Sequence, residues 1–243
     1  DNNLLSELII NAAGPPRASM EYLMTRNPFF PKFSDLPTAI PIFPLAGAVV
    51  MPGVQLPLNI FEPRYLNMVF DTLADSHLIG MIQPTSDTMK REIPEVHKVG
   101  CAGRITSFSE TSDGRIVLVL TGVCRFQVAG ELEEHKGYRR ITADWERFAL
   151  DYHLDEGAIP DRQGFLSSLK TYCSLRSVEI PWDDIEKMGD NELTNLLCAH
   201  LPLSPEDKQA LVETLQTVER AALMRGLLDM ASASSMRVAE HRH

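Results

Sequence analysis

The stretch from Ile40 to Tyr65, I-P-I-F-P-L-A-G-A-V-V-M-P-G-V-Q-L-P-L-N-I-F-E-P-R-Y, constrains the fold most, because it sets five prolines in an otherwise apolar run. Pro41 and Pro44 hold the residues before them extended and lack the amide a central strand uses, which predicts an edge strand. Pro52-Gly53 predicts a turn with Gly53 at positive φ. Pro63 suits the first turn of a helix, where its missing N–H costs nothing. The predicted order is edge strand, strand, turn, short extended piece, helix start.

Strand patterns dominate residues 38–149. Leu78 to Gln83 is a short apolar run, and Lys98 to Glu110 alternates in part. Ser112-Asp113-Gly114 turns the chain into Arg115–Thr121, a β-branched and Leu-rich run, so the pair reads as a hairpin. Cys124 to Ala129 and Tyr138 to Leu150 read as further strands. One helix interrupts them, from Pro63 to about Ala74, with Tyr65, Met68, Val69 and Leu73 at helical spacing. Short antiparallel strands with little sequence for parallel crossovers predict a small closed or half-closed barrel. From about residue 150 the period changes to 3.6. Asp161 is a cap for a helix burying Phe165, Leu166, Leu169 and Tyr172-Cys173, and Asp190 for one carrying Leu193, Leu196, Leu197 and Leu201. Ser204-Pro205-Glu206-Asp207 opens a third, whose stripe Leu211, Leu215, Val218, Ala222 and Leu227 runs to about residue 230. The fold class is therefore α+β: a mainly antiparallel β pseudobarrel over 38–149, an α-helical subdomain over 150–232, an irregular arm over 1–37 and a tail over 233–243. Phe29, Phe30 and Phe33 read as aromatic anchors of that arm on the main domain. Met20 or Met24 is the expected native start.

Several of these pieces, in this order, resemble the N-terminal substrate-recognition domain of the ATP-dependent Lon proteases, and among them the stand-alone Lon-N-domain proteins of bacteria. They are Pro44-Leu45, Pro52-Gly53, Pro57-Leu58 and Ile60 to Tyr65, then Val99 to Ile105, Asp113-Gly114-Arg115, Gly122-Val123-Cys124-Arg125-Phe126, and Leu201 to Gln209. The resemblance implies a PUA-like pseudobarrel. It also implies that a name such as ATP-dependent protease La would be inherited from multidomain relatives, since the Ser-Lys site of Lon falls in a C-terminal domain beyond the length of this chain.

The residues themselves point away from catalysis. No G-x-x-x-x-G-K-[ST] loop cradles phosphates, and no G-x-S-x-G elbow or H-E-x-x-H pair is present. His77, His97, His135, His153 and His200 are scattered, and His200 reads as a helix C-terminal residue. Cys101, Cys124, Cys173 and Cys198 stand at no metal-ligand spacing and read as buried, reduced thiols, Cys101 included. No metal or cofactor is expected. No run reaches the roughly 18 apolar residues of a membrane helix, which predicts no membrane association and a cytoplasmic protein. A formal charge of −10 argues against nucleic acid.

The expectation is a non-catalytic module that binds unfolded or extended polypeptide, its contact surface drawn from Pro52, Gly53, Pro57, Phe61, Glu62, Arg64 and Tyr65, with the C-terminal helices as an opposite wall. Met51, Met68, Met81 and Met89 fall in the barrel part as core or as an adaptable surface. Glu62-Pro63-Arg64-Tyr65 can grip a peptide backbone; equally, Glu62 can cap its helix or pair with an arginine, and Arg64 can tie the helix to the barrel. Two alternatives carry specific residues or requirements. An ATP-independent peptidase needs a nucleophile–base pair assembled by the fold. An RNA-associated PUA-like module would use Arg104, Arg139 and Arg140.

Overall fold

The computed structural model describes residues 27–88, 93–152 and 159–240; the candidate starts at Met20 and Met24, as well as Met89 and His153, lie outside them. The described residues fall into two compact units, residues 27–152 with Leu203–Glu213 and residues 159–202 with 214–240.

The first unit is built on β1 (Ala39–Pro44), β2 (Gln55–Ile60), β3 (Leu78–Ile82), β4 (Val99–Glu110), β5 (Ile116–Glu131) and β6 (Arg140–Asp144). They form one sheet in the order β2-β5-β4-β3-β1-β6, and a β5–β6 pairing closes all but β2 into a ring. Its pairs are antiparallel except β1–β3. That parallel pair, which the sequence did not predict, is bridged by a crossover holding β2 and a helix.

β1 is not the expected edge strand, since β3 pairs with it on one side and β6 on the other. The prolines are tolerated because the two ladders are staggered. Leu45 N–H donates to Ile82 O and Ile42 N–H to Arg139 O, so odd residues face β3 and even residues face β6. Pro41 therefore faces β3 one position before that register begins at Ile42↔Gly80, and Pro44 faces β6 past the end of that ladder at Pro41↔Arg140. Each missing amide thus falls just outside the ladder it faces.

Arg115–Thr121 and Cys124–Ala129 are not two strands but the two halves of β5, which crosses Gly122 unbroken. A Cβ on Gly122 would stand 2.0 Å from Met51 O, so only glycine admits the Met51-Pro52 backbone there. That backbone is the Pro52-Gly53 turn: Val54 N–H donates to Met51 O (2.9 Å), Gly53 has φ 78°, and its N–H donates to Gly122 O (3.0 Å). The strand predicted over Tyr138–Leu150 is only β6; Glu146–Tyr152 winds into a kinked 3-10 stretch. The reason is Asp151, whose carboxylate accepts from the Arg125 amide (2.9 Å), Nε (3.0 Å) and Nη2 (2.7 Å) in the interior. Two of the three expected aromatic anchors meet Tyr152, the Phe33 ring edge-on at 5.4 Å and the Phe30 ring at 6.2 Å, and the Tyr152 hydroxyl donates to Pro31 O; the third, Phe29, is 70% exposed.

α1 (Pro63–Leu73) starts at Pro63 and buries Tyr65, Met68 and Val69 against Leu58, Ile60 and Leu118 of the barrel core. Met51, Met68 and Met81 are all buried, which places them in the core. A later helix, Pro205–Glu213, groups with this unit instead of the helical half. Its start is capped by Ser204, which accepts from the Asp207 amide. It is held by Gln83, which donates to Pro205 O (2.9 Å), by Gln209 donating to Val99 O (3.1 Å) and by Lys208 donating to Gly47 O (2.9 Å).

The second unit comprises α2 (Arg162–Arg176), α3 (Trp182–Lys187), α4 (Asp190–His200) and, after α5 (Pro205–Glu213), α6 (Thr217–Glu240). Asp161 caps α2, accepting from Gly164 N–H, and its carboxylate also takes Arg225 of α6 (2.9 Å). Asp190 does not cap α4. Gly189 holds the cap position, and the Asp190 carboxylate instead accepts from Arg162 and the Ile159 amide. The single stripe expected through Leu227 is broken at residues 214–216, and α6 continues to Glu240, through most of the predicted tail. Its buried line is Thr217, Arg220, Ala221, Met224 and Leu228, while Leu215 and Ala222 are exposed. Arg220 explains the break: buried, it donates to Asn195 and to the carbonyls of Thr214 and Leu215, which a continuous helix would have used internally.

Candidate functional site

The predicted contact residues divide sharply once folded. Pro52 is buried and Gly53 half-buried in the turn seated on Gly122, so the P-G and G-V-C-R-F motifs are partners in a structural joint. Pro57 is exposed on β2. Phe61, at the junction of β2 and α1, is 62% exposed, with the Arg115 guanidinium 5.9 Å from its ring centre. Ile60↔Ile116 pairing brings these two neighbours together. Glu62 occupies the cap position of α1 without its carboxylate bonding the helix amides. Instead it accepts from Arg64, Nε at 3.0 Å and Nη2 at 2.8 Å. Of the readings open for Glu62, arginine pairing is the one realised. Both side chains are roughly half exposed, so this pair is worth little to stability, about 0–1 kcal/mol.

Tyr65 points the other way. Its ring lies 4.3 Å from that of Phe43 in the core, with the Arg64 guanidinium 4.6 Å over it. Burial, the largest influence, pushes its phenol up from the usual range. Arg64 thus lies over a core aromatic while its charged head stays at the surface. The exposed members of the motif are Pro57, Phe61, Glu62 and Arg64.

Sequence reasoning missed the group that anchors the next turn of α1. Asp71 accepts from Lys136 Nζ (2.6 Å) and from the Tyr138 hydroxyl (3.0 Å), with His135 Nε2 at 3.5 Å. Asn67 donates to Lys136 O (3.1 Å). Lys136 and Gly137 both have positive φ, 48° and 86°, a tight turn clasped onto the helix. The Lys136 hydrogen bond, foremost, holds the Asp71 carboxyl below its usual range. Burial and then the hydrogen bond to Asp71 push Tyr138 up to about 12. An i, i+4 or hairpin rule does not reach from 71 to 136, so no local signal marks this clasp.

Exposed apolar residues near the site were also not legible. Phe70 on α1 is 54% exposed, and Phe108 (52%) and Val117 (42%) lie on the β4–β5 hairpin. β3 pairs with β4 only through Arg104, so the hairpin beyond Ile105 has no strand on that side among the described residues. Only the lengths of the paired strands reveal that Phe108 is left uncovered.

The residues of the alternatives are engaged elsewhere. Arg139 bonds Glu131 and donates to Pro94 O (2.7 Å), Arg104 donates to Ile105 O, and Arg140 to Glu133 O. All four cysteines are buried thiols; burial pushes the Cys124 thiol far up and that of Cys173 to about 11. Among the described residues no cluster of metal-ligating side chains occurs, and no helix is long and apolar enough to cross a membrane.

A mainly antiparallel β pseudobarrel of the PUA-like kind, carrying α1 on its core face and followed by helices, defines the class of this α+β protein. The chain belongs to the ATP-dependent protease La (LON) substrate-binding domain family, whose model matches residues 39–230. It is similar to a Lon protease of Syntrophus aciditrophicus (26% identity over 199 residues, 78% of this chain and 25% of that protein) and to one of Flavobacterium johnsoniae (29% over 195 residues, 77% and 23%). The chain thus spans about a quarter of the length of these curated relatives. In structure it is similar to a Lon N-terminal domain protein from Xanthomonas campestris (TM-score 0.57, 23% identity, 77% of this chain and 97% of that one). The N-terminal domain of Mycobacterium avium complex Lon protease is similar too (TM-score 0.57, 16% identity, 80% and 98%).

Proposed function

We propose that this chain is a non-catalytic module that binds unfolded or extended segments of other polypeptides, in the cytoplasm, at the β2–α1 corner exposing Pro57, Phe61, Glu62 and Arg64. The observation that carries the reading is the match to a substrate-binding domain over residues 39–230. The exposure of Phe61 inside the I-F-E-P-R-Y motif supports the location. Phe61 at the strand–helix junction is 62% exposed, which leaves an aromatic face available to a partner. Around it stand the Arg115 guanidinium, paired with Asp113 at 3.0 Å, and the Glu62–Arg64 pair, so the exposed ring is set among charges that balance.

The test is a fluorescence anisotropy titration against a labelled, carboxymethylated, permanently unfolded polypeptide, with and without ATP, followed by electrophoresis of the label. Saturable binding, unchanged by ATP and without cleavage, is the expected result. Tyr65 is unsuitable as a surface probe because its loss would open the core. The double variant Phe61→Ala/Arg64→Ala is the right one, expected to weaken binding about tenfold, the scale of losing an exposed aromatic anchor. Unchanged affinity in a folded double variant would put the site elsewhere. Cleavage surviving repurification would overturn the non-catalytic reading.

A further inference from the structure

We propose that β2 receives its polypeptide by strand addition: an extended, uncharged client segment hydrogen-bonds to the outer edge of β2. This rests on the polypeptide-binding reading and specifies its mode.

The closed ring leaves β2 with β5 on one side and, among the described residues, no strand on the other. The direction of its backbone groups follows from the ladder. Gly122 N–H donates to Val54 O (2.8 Å), and the register continues Leu56↔Leu120, Leu58↔Leu118, Ile60↔Ile116. The even residues thus spend their amides and carbonyls on β5, while Gln55, Pro57 and Asn59 turn theirs outward. All three are exposed. The edge offers three carbonyls and two amides, since Pro57 has no N–H.

Exposed edges are usually blunted by lysines, other charges, bulges or proline. In Q-L-P-L-N-I no residue is charged and the β2–β5 register is unbroken, so Pro57 is the one guard. Its placement selects the partner. Two copies of β2 paired with each other would lose two hydrogen bonds, because each strand brings a Pro57. A foreign strand loses one. Proline here disfavours self-pairing more than client pairing. The side chains flanking the edge are also uncharged: Pro57 stands opposite Val119 and Asn59 opposite the exposed Val117. An added strand extends that face, which suits β-branched or small uncharged residues. Phe61 then stands at the end of the edge. The client is therefore recognised chiefly through its main chain.

The experiment uses the full chain and a labelled octapeptide of alternating Val and Thr, alongside a twin N-methylated on the residues meant to face β2. The parent peptide is expected to bind, and the twin to bind about tenfold more weakly or worse, the scale of two or more lost hydrogen bonds. Asn59→Pro removes an outward amide that no ladder bond uses and is expected to weaken the parent similarly. Pro57→Val restores the missing donor and is expected to tighten binding a few-fold; this second variant keeps the test decisive if Asn59→Pro fails to fold. Hydrogen exchange at the Gln55 and Asn59 amides is expected to slow on saturation, while that of Leu58, already bonded to β5, stays the same. Equal affinity of parent and twin, or Pro57→Val binding no tighter, overturns strand addition. If the unfolded polypeptide binds but the Gln55 and Asn59 amides do not slow, strand addition falls and the binding reading stands. If neither peptide nor polypeptide binds, both fall.

Discussion

Replacing Asp151 by alanine tests the least visible element of this fold. Arg125 is 1% exposed, and its guanidinium and backbone amide both give hydrogen bonds to the Asp151 carboxylate, at 2.7 to 3.0 Å. Removing the carboxylate leaves a buried cation. Among the contacts the guanidinium retains are Val212 O at 3.0 Å and the Phe148 ring at 4.6 Å, both uncharged, which soften the loss. Breaking a buried pair from one side costs about 3–5 kcal/mol. With a urea m-value of about 2 kcal/mol/M, the midpoint falls by about 2 M. The assay is urea denaturation followed by the fluorescence of Trp145, which lies in the barrel unit, in a Trp182→Phe background so that it is the sole tryptophan. The double variant Arg125→Met/Asp151→Leu removes both charges and leaves chiefly the residue-125 amide unpaired, so its loss is only about 1–3 kcal/mol. A single-variant shift below about 0.5 M, or single-site losses that simply add in the double variant, would refute the buried-pair argument.

Other outcomes follow from the same structure. Gly122→Ala sets a Cβ 2.0 Å from Met51 O and must displace the Pro52-Gly53 turn or the strand; a loss of at least about 3 kcal/mol is expected, read by the same fluorescence melt. Asp71→Asn frees the Lys136–Gly137 turn, and amide exchange at Gly137 and Tyr138 speeds up while the barrel midpoint moves little. Because the native Asp71 carboxyl lies below its ordinary range, its contribution is full above that range and is lost as pH falls through the native value. The same exchange acceleration should therefore appear in the wild type on acidification and be absent in Asp71→Asn. The four thiols, all buried, should resist iodoacetamide at neutral pH until urea unfolds the chain, checked by mass spectrometry.

Much of the architecture is legible in local chemistry. Proline and glycine placement marks the Pro52-Gly53 turn, the start of α1 at Pro63 and the Asp113-Gly114 hairpin, because these residues restrict or release φ wherever they stand. Ser204 and Asp161 mark helix starts by cap chemistry. The ordered motifs from Pro44 to Gln209 carried the family resemblance, to which the match over residues 39–230 corresponds. What the linear pattern misreads depends on partners distant in sequence. β1 looks like an edge because its prolines lack donors, yet two staggered ladders leave each proline just outside the pairing it faces. β5 looks like two strands because Gly122 interrupts the apolar run, yet the gap receives another segment's backbone. Tyr65 sits in the same short motif as Phe61, and only helix phase against the barrel sends one ring into the core and leaves the other in water. The chain by itself determined the turns at Pro52-Gly53 and Asp113-Gly114 and the helix starts at Pro63, Asp161 and Ser204, through backbone restrictions and caps that act within a few residues. Which edge stayed open, which charges were buried and which aromatics remained exposed were decided by the tertiary structure, because those depend on pairings and packing across scores of residues, such as Asp71 with Lys136 and Arg125 with Asp151.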